Sequence, residues 1–240
     1  MTKPLLQLTD LRRRLGRRVL WQIPQLTVPA AGSLLLRGHN GTGKTLLLKT
    51  LAGLDKLDCQ ALQLHGLNVA QSRWQQQLRA VTVYVHSQPW LFERTTQSNI
   101  AYGLQRQGLR GSHLRERVWE ALEWAGLQDL AGQRARQLST GQQRLLAITR
   151  AWVLQPALLL LDEPLAGLDQ MARQQLLELL GHLAEEHRTV LWTSHEGVAD
   201  AGWVDEIWQL EDGQLSREIY RGRQASAVVS FHRPASHIKL

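Results

Sequence analysis

A strand-like run that passes through a glycine-rich turn into a helix-like run constrains the fold of this chain most strongly. Within residues 32–53, leucines at 34–36 precede the turn, and a leucine-rich segment at 46–51 follows it. The first run is typical of a buried strand, and the second is typical of a helix with an apolar face. Strand, tight turn and helix in this order predict an α/β fold.

Other segments alternate in the same way. We predict strands at 81–85, 157–161 and 190–193, and helices at 112–125, 142–154 and 171–186. Residues 157–161 are apolar at every position, as in a central parallel strand that is covered on both faces. Residues 89–150 have helical patterns and no clear strand, which predicts an inserted helical subdomain.

The turn has the pattern of a phosphate-binding loop. Its sequence, Gly38-His39-Asn40-Gly41-Thr42-Gly43-Lys44-Thr45, fits G-x-x-x-x-G-K-[S/T] with an additional glycine inside. The glycines allow backbone N–H groups to converge on phosphate oxygens, and the helix N-terminus adds about half a positive charge. We expect Lys44 to bridge the β- and γ-phosphates of a nucleotide and Thr45 to bind Mg²⁺.

Two carboxylates follow the apolar run at 157–161. Asp162 would stand at the C-terminal edge of the strand, where it can hold the Mg²⁺ shell. Glu163 could orient and polarise a water molecule for hydrolysis, although a strand-ending acidic residue can also be merely solvated. Together with the phosphate loop, this pair predicts nucleotide hydrolysis.

The residues between these motifs carry a family resemblance. Leu138-Ser139-Thr140-Gly141-Gln142 resembles the L-S-G-G-Q signature of ATP-binding cassette (ABC) proteins. Gln88 resembles the Q-loop glutamine of that family, Ala166-Gly167-Leu168-Asp169 resembles its D-loop, and His195 resembles its switch histidine. A lone glutamine or a histidine after a strand is usually structural, so the ordered set is what makes the resemblance specific.

The resemblance implies the ABC ATPase fold, which is a RecA-like P-loop NTPase core with a mixed sheet and an inserted α-helical subdomain. Residues 1–88 and 151–220 would form the nucleotide-binding core, and residues 89–150 the helical signature subdomain. Residues 221–240 would form a basic C-terminal tail. ATP and Mg²⁺ are the implied cofactors.

The resemblance also implies a homodimer of two cassettes that pack head-to-tail. Each ATP would lie between the phosphate loop of one chain and Ser139, Gly141 and Gln142 of its partner. Gln88 would sense the γ-phosphate or bind Mg²⁺, and His195 would hold the γ-phosphate and the attacking water. Membrane permease subunits would dock on the helical subdomain, where residues 89–92 and 99–104 offer apolar side chains that could equally be core. A substrate-binding protein is a further partner of importers.

Composition narrows the class of protein. The net charge of +7 indicates an anionic partner or an arginine-rich solvated surface. The single cysteine excludes a disulfide framework and a cysteine-rich zinc site within the chain. No apolar run approaches the roughly 20 residues of a membrane-spanning helix, and no signal-peptide pattern is present. These features predict a cytosolic compartment, and the family resemblance implies a peripheral subunit on the cytoplasmic side of the inner or plasma membrane.

Three functions fit these motifs. The segment 83–104 resembles importer cassettes, which favours import of a small solute such as tungstate, molybdate or phosphate. An exporter ATPase subunit is the first alternative, and a soluble ABC ATPase that acts on nucleic acid is the second. Only 95 positions separate Lys44 from Ser139, with no heptads or cysteines for a coiled-coil or zinc insertion. We therefore expect no nucleic-acid partner.

The chain departs from the family pattern at three points. Thr140 replaces a glycine of the signature, which would be unfavourable if that backbone needs an unusual conformation. Leu15 stands where the family has an aromatic residue that stacks on adenine, and Trp21, on the following strand, is the nearest aromatic residue that could replace it. Ala166 stands where serine is common in the D-loop.

Overall fold

The computed structural model describes residues 3–186, 188–194 and 202–219. The larger of two sheets contains β3 (Gly32–Arg37), β6 (Thr82–Val85), β7 (Leu158–Leu161), β8 (Thr189–Thr193), β9 (Glu206–Glu211) and β10 (Gln214–Ile219). Its strand order is β10-β9-β3-β8-β7-β6. All neighbouring strands are parallel except β10, which pairs antiparallel with β9. The mixed sheet predicted from the sequence is therefore confirmed.

The central strands are apolar throughout because both faces of the sheet are covered. Every residue of β7 and β8 is buried. Because side chains alternate along a strand, Leu158 and Leu160 join one hydrophobic cluster, and Leu159 and Leu161 join the other. Helix α1 (Lys44–Leu51) belongs to the first cluster, and helices α5 (Thr140–Trp152) and α6 (Gln170–Glu185) belong to the second. The molecule thus has a core on each side of the sheet.

A second, antiparallel sheet was not predicted from the sequence. It contains β1 (Leu6–Leu15), β2 (Arg18–Val28), β4 (Ala61–Leu64) and β5 (Leu67–Asn68) in the order β2-β1-β4-β5. Several of its apolar side chains, such as Leu8 and Leu26, are fully buried in the same cluster as those of α1. The pairing of β1 with β2 shifts register between Arg13 and Arg14, so the alternation that would identify these strands is interrupted.

Helices fill the segment between β6 and β7. Residues 89–150, all of which are described, contain α3 (Thr96–Arg106), α4 (Gly111–Trp124) and most of α5, and no strand. Helix α3 packs on α4 and α5 around Ile100, Leu122 and Leu146. Helix α5 extends to Trp152 and also packs against β6 and β7. The subdomain boundaries at 88/89 and 150/151 therefore stay a prediction.

The remaining predicted elements lie within one or two residues of the observed ones. The helices predicted at 112–125, 142–154 and 171–186 are α4, α5 and α6, and α2 (Trp74–Val81) precedes β6. The predicted tail at 221–240 lies outside the described residues. Within the described part of the chain, no helix is both long enough and apolar enough to cross a membrane.

Candidate nucleotide-binding site

The predicted phosphate loop joins the end of β3 to the start of α1. Gly38 and Gly43 have φ angles of 152° and 97°, in the region that favours glycine, and Gly43 is the N-cap of α1. A Cβ atom added to Gly38 would lie 2.4 Å from the carbonyl oxygen of Leu210. One added to Gly43 would lie 2.6 Å from the side chain of Leu20. Both glycines are therefore required by the close packing of the loop.

The side chain of Lys44 lies inside the phosphate loop and binds its backbone. Its Nζ donates hydrogen bonds to the carbonyl oxygens of Gly38 (2.7 Å) and His39 (3.2 Å), and the residue is only 5% exposed. The Thr42 hydroxyl also donates to the carbonyl of His39, over 2.9 Å. Burial lowers the pKa of Lys44, and the nearby charges of Glu163 and Asp162 oppose that shift. His39, Asn40 and Gly41 form the exposed crest of the loop.

Asp162 lies directly after β7 and is 3% exposed. Its carboxylate accepts hydrogen bonds from three hydroxyl groups. Thr45 Oγ1 lies 3.0 and 2.9 Å from its two oxygens, Tyr84 Oη lies 2.9 Å from Oδ2, and Thr193 Oγ1 lies 3.1 Å from Oδ1. Burial, followed by the charge of Asp162, raises the pKa of Tyr84, so its hydroxyl keeps its proton. The structure therefore brings Thr45 and Asp162 together.

Glu163 adopts a left-handed backbone conformation with φ 46°, which is uncommon for a residue with a side chain. Its backbone N–H donates to Thr193 Oγ1 over 2.7 Å. The charge of Glu163 acts on Lys44 and on Arg144, whose guanidinium donates to the carbonyls of Pro164 and Ala166. The carboxylate thus lies within electrostatic range of the phosphate loop.

The oxygen donors at this point fit Mg²⁺. Magnesium in proteins is usually held by one or two side-chain oxygens together with phosphate and water oxygens. A hydroxyl has one proton and two lone pairs, so Thr45 can donate to Asp162 and still offer a lone pair to a cation. Among the described residues, no group of three or more histidine, cysteine, aspartate or glutamate side chains could hold a metal ion. The hydroxyl of Thr45 and the carboxylate of Asp162 can provide part of the ligand set of Mg²⁺, because both offer oxygen lone pairs.

The predicted signature begins α5. Ser139 is the N-cap of the helix and forms a capping box with Gln142. The Ser139 hydroxyl accepts a hydrogen bond from the N–H of Gln142 over 3.2 Å. In return, Gln142 Oε1 accepts one from the N–H of Ser139 over 2.9 Å. Ser139 and Thr140 are exposed. Gly141 is buried against α6, where an added Cβ would lie 2.6 Å from Cβ of Ala172. No hydrogen bond joins this helix start to the described phosphate loop.

Comparison with known proteins agrees with these motifs. A family model described as ABC transporter matches residues 22–166. The chain belongs to the ABC transporter family. The spermidine/putrescine import ATP-binding protein PotA of Haemophilus influenzae is 31% identical over 235 residues, which are 95% of this chain and 63% of that protein. The sulfate/thiosulfate import ATP-binding protein CysA of Mycolicibacterium paratuberculosis is 30% identical over 92% of this chain and 62% of its own length. The chain thus spans about 63% of the length of these curated relatives.

Solved structures show the same fold. The protein cbiO1 of Clostridium perfringens, described as part of the ABC transporter complex cbiONQ, superposes with a TM-score of 0.80 at 24% identity, over 89% of this chain and 87% of that one. The ATP-binding cassette MJ0796, described as a dimeric post-hydrolysis state bound to ADP and Pi, superposes with a TM-score of 0.76 at 25% identity, over 90% and 99%. The predicted ABC ATPase fold is therefore confirmed.

Gln88, a predicted site residue, is not brought to the Thr45–Asp162 pair. Gln88 is exposed, and its backbone N–H donates to Nδ1 of His86 over 3.0 Å. No hydrogen bond joins its side chain to Thr45 or Asp162, and His86 rather than Gln88 borders the narrow gap beside Asp162. His195 lies outside the described residues. The roles of both residues stay predictions.

Sequence reasoning missed two residues of the cassette that contact Asp162. Tyr84 lies on β6, and Thr193 ends β8, so the two residues approach β7 from its two neighbouring strands. A polar residue near the end of a buried strand is a usable signal, because such groups need hydrogen-bond partners. The signal does not reveal the partner, which depends on strand order.

The three departures from the family pattern have different consequences. Thr140 is the first residue of α5 and has no positive φ, so its β-branched side chain is compatible with the backbone. Trp21 is fully buried, and its indole lies against Gly43, so it cannot replace the stacking aromatic residue. Leu15 remains 54% exposed at the end of β1. The carbonyl of Ala166 binds Arg144, a contact that does not depend on its side chain.

Proposed function

We propose that this chain is the ATP-binding and ATP-hydrolysing subunit of a membrane transporter. The observation that carries the proposal is the hydrogen bond between Thr45 of the phosphate loop and Asp162 of the acidic strand end. A phosphate loop alone binds phosphate, and a strand-end carboxylate alone binds cations. Their contact supports one site for ATP together with Mg²⁺.

Each residue of the site then has a distinct task. Backbone N–H groups of residues 38–43 and the ammonium of Lys44 bind the phosphates. Thr45 and Asp162, with Gln88 as a third candidate ligand, hold Mg²⁺, which supplies positive charge at the phosphate oxygens. Glu163 accepts a proton from the attacking water as general base.

The proposed dimer completes the site. Ser139 is exposed at the start of α5, and within the described chain no hydrogen bond joins it to the phosphate loop. A helix N-terminus that points into solvent is suited to bind an anion carried by another molecule. In our proposal Ser139, Gly141 and Gln142 therefore face the ATP of a second copy, and His195 holds the γ-phosphate and water within its own chain.

A permease contact is supported by the surface that follows β6. Trp90 is 80% exposed, although the backbone around it is firmly held. Arg150 donates to the carbonyl of Trp90 over 2.7 Å and lies over the ring of Phe92. Asn99, which is fully buried, makes hydrogen bonds to both backbone groups of Phe92. An exposed tryptophan on an ordered loop is typical of a protein-binding surface.

Import is the direction that we propose, at the cytoplasmic face of the membrane and with a substrate-binding protein as a further partner. The relatives named for spermidine/putrescine and for sulfate/thiosulfate are both import proteins. One is named for the import of polycations and the other for the import of oxyanions. The predicted oxyanion substrate therefore remains a proposal. Export driven by the same ATPase, or an action on nucleic acid, would require a partner other than the permease and substrate-binding protein of an importer.

Replacing Glu163 tests the proposed hydrolysis. Glu163→Gln keeps the size of the side chain but removes the base, so we expect unchanged ATP affinity and a loss of phosphate release of about 10²–10⁴-fold. With Mg²⁺ and ATP, light scattering should give twice the chain mass of 27.2 kDa, because a dimer closed on ATP is no longer released.

Glu178→Gln is the matched control. Glu178 is exposed on α6 and accepts a hydrogen bond only from Gln174 of the same helix. The Glu178→Gln variant should hydrolyse ATP at the same rate as the wild type. A Glu163→Gln variant with normal turnover would remove Glu163 from its proposed role. A wild-type chain that does not bind ATP would contradict the proposed function itself.

A further inference from the structure

We propose that Tyr84 and Thr193 are positioning residues that hold the carboxylate of Asp162 ready for Mg²⁺, and that Thr193 also sets the backbone from which Glu163 projects. This inference rests on the proposed function. Neither residue belongs to the phosphate loop, the acidic pair or the signature, and both reach the site through hydroxyl groups.

The two hydroxyls approach Asp162 from opposite sides. Strand β7 lies between β6 and β8, and Tyr84 and Thr193 belong to these two neighbours. Tyr84 Oη lies 2.9 Å from Oδ2 of Asp162, and Thr193 Oγ1 lies 3.1 Å from Oδ1. Each carboxylate oxygen therefore has its own donor from the sheet, in addition to the hydroxyl of Thr45.

The donors from the sheet differ from Thr45 in one respect. Thr45 belongs to the phosphate loop and is itself a candidate Mg²⁺ ligand. Tyr84 and Thr193 belong to parallel strands that are hydrogen-bonded to β7, which gives them fixed positions relative to Asp162. The terminal torsion of an aspartate is soft, so a carboxylate without these donors can rotate. Two fixed donors restrict it to one orientation.

Thr193 has a second contact that Tyr84 lacks. Its hydroxyl accepts the backbone N–H of Glu163 over 2.7 Å while it donates to Asp162. Glu163 has φ 46°, and a residue in this conformation persists only where its surroundings hold it. One hydroxyl therefore connects the candidate metal ligand to the candidate base. Loss of the Tyr84 hydroxyl should weaken Mg²⁺ binding alone. Loss of the Thr193 hydroxyl should weaken Mg²⁺ binding and also lower the rate of ATP turnover.

Tyr84→Phe removes one hydroxyl and keeps the ring. Residues that orient a metal ligand typically contribute 10- to 100-fold to metal affinity. We therefore expect the Mg²⁺ concentration for half-maximal ATP binding to rise by about tenfold or more, while ATP affinity in EDTA stays unchanged. Thr82→Val is the control, because it removes a buried hydroxyl from the same strand that donates to the carbonyl of Leu78 instead of to Asp162. Both measurements use equilibrium binding of ATP to the full chain.

Thr193→Val removes the other hydroxyl with little change in shape. We expect a similar rise in the Mg²⁺ requirement and, in addition, a fall in kcat at saturating Mg²⁺ and ATP of at least tenfold. Thr193→Ser retains the hydroxyl and should restore both values. Thr189→Val is the matched control: Thr189 lies on the same strand, is fully buried, and donates to the carbonyl of Pro29 instead of to the site.

The outcomes separate this inference from the proposed function. Wild-type binding of ATP that depends on Mg²⁺, combined with an unchanged Mg²⁺ requirement in Tyr84→Phe, would overturn the positioning role alone. A Thr193→Ser variant as impaired as Thr193→Val would also overturn it, because packing rather than the hydroxyl would then matter. An equal loss of ATP affinity with and without Mg²⁺ would likewise indicate a general structural role. A wild type that does not bind ATP would instead refute the proposed function.

Discussion

Single residues around the phosphate loop show how closely the two sheets are joined at the site. Gly43 leaves no room for a Cβ because Leu20 and Trp21 of β2 lie directly against it. Strand β2 therefore supports the phosphate loop, and the β1–β2 hairpin ends only a few residues beyond this contact. Leu15 and Val19 are both about half exposed at that end. An aliphatic surface thus lies where the family resemblance implies an aromatic partner for adenine.

Restoring the aromatic residue should strengthen nucleotide binding. Stacking of a base on an aromatic side chain contributes about 1–3 kcal/mol. We therefore expect Leu15→Tyr to tighten ATP binding by roughly 5- to 150-fold, as measured by equilibrium titration. Leu67→Tyr, at another exposed leucine, on β5, should have no effect. Unchanged affinity in Leu15→Tyr would mean that adenine already contacts another residue.

Helix α5 is the element that carries the signature, and its start serves two purposes. The capping box between Ser139 and Gln142 satisfies backbone donors at the helix N-terminus. Gly141 allows the same turn to approach α6, where Ala172 lies close to its Cα. The glycine of the signature therefore has a packing function within one chain, independent of the contact with a partner's nucleotide. Thr140 occupies a normal helical position between these two residues.

A methyl group at Gly141 should force α5 and α6 apart. The added Cβ would lie 2.6 Å from Cβ of Ala172, and overpacking of this kind costs about 1–3 kcal/mol. We expect Gly141→Ala to lower the free energy of unfolding in urea by this amount. Adding Ala172→Gly removes the clashing atom, so the double variant should recover more than the sum of the single effects predicts. Additive effects would show that the helices can separate at no cost.

At the scale of the whole molecule, the helix starts that form the predicted phosphate loop and the predicted signature differ in exposure. The N-terminus of α1 is closed within the phosphate loop by Lys44, whereas that of α5 is exposed through Ser139. In the proposed dimer, the start of α5 would complete the phosphate site of a second copy, while the phosphate loop would bind the nucleotide of its own chain. The net charge of +7 is consistent with two sites for anionic groups.

Ser139→Asp separates folding from assembly. Aspartate caps a helix as well as serine does, so the melting temperature should not change. Its negative charge would face the phosphates bound by the partner, so dimer formation and ATP hydrolysis should fall at least tenfold. Binding of ATP to the chain's own phosphate loop should persist. Ser112→Asp adds the same charge at an exposed serine of α4 and is the control.

Full hydrolysis in Ser139→Asp would contradict the proposed partner contact. Light scattering in the Glu163→Gln background provides the second readout, because that background should otherwise accumulate the dimer. A Ser139→Asp, Glu163→Gln double variant that still doubles in mass with ATP would place the interface elsewhere.

Much of the fold and part of the site could be predicted because the relevant signals are local. The apolar runs predicted β3, β7 and β8 to within two residues. The antiparallel sheet escaped prediction, because arginines and a bulge between Arg13 and Arg14 break the alternation of β1. The position of Trp21 in the sequence allowed it to stack on adenine. Its complete burial, which only the packing of the chain shows, excludes that role.

Local sequence was enough to predict the family, the phosphate loop, the acidic strand end and the helix that follows the signature. Each of these depends on contiguous residues, whose φ angles, hydrogen-bonding groups and apolar spacing act over a few positions. The convergence of three hydroxyls, from Thr45, Tyr84 and Thr193, on Asp162 depends on the tertiary fold. The same is true of the hydrogen bond from the Glu163 N–H to the Thr193 hydroxyl. These contacts join four segments far apart in the chain. They follow from the order of β6, β7 and β8 in the sheet, which packing of the whole core selects.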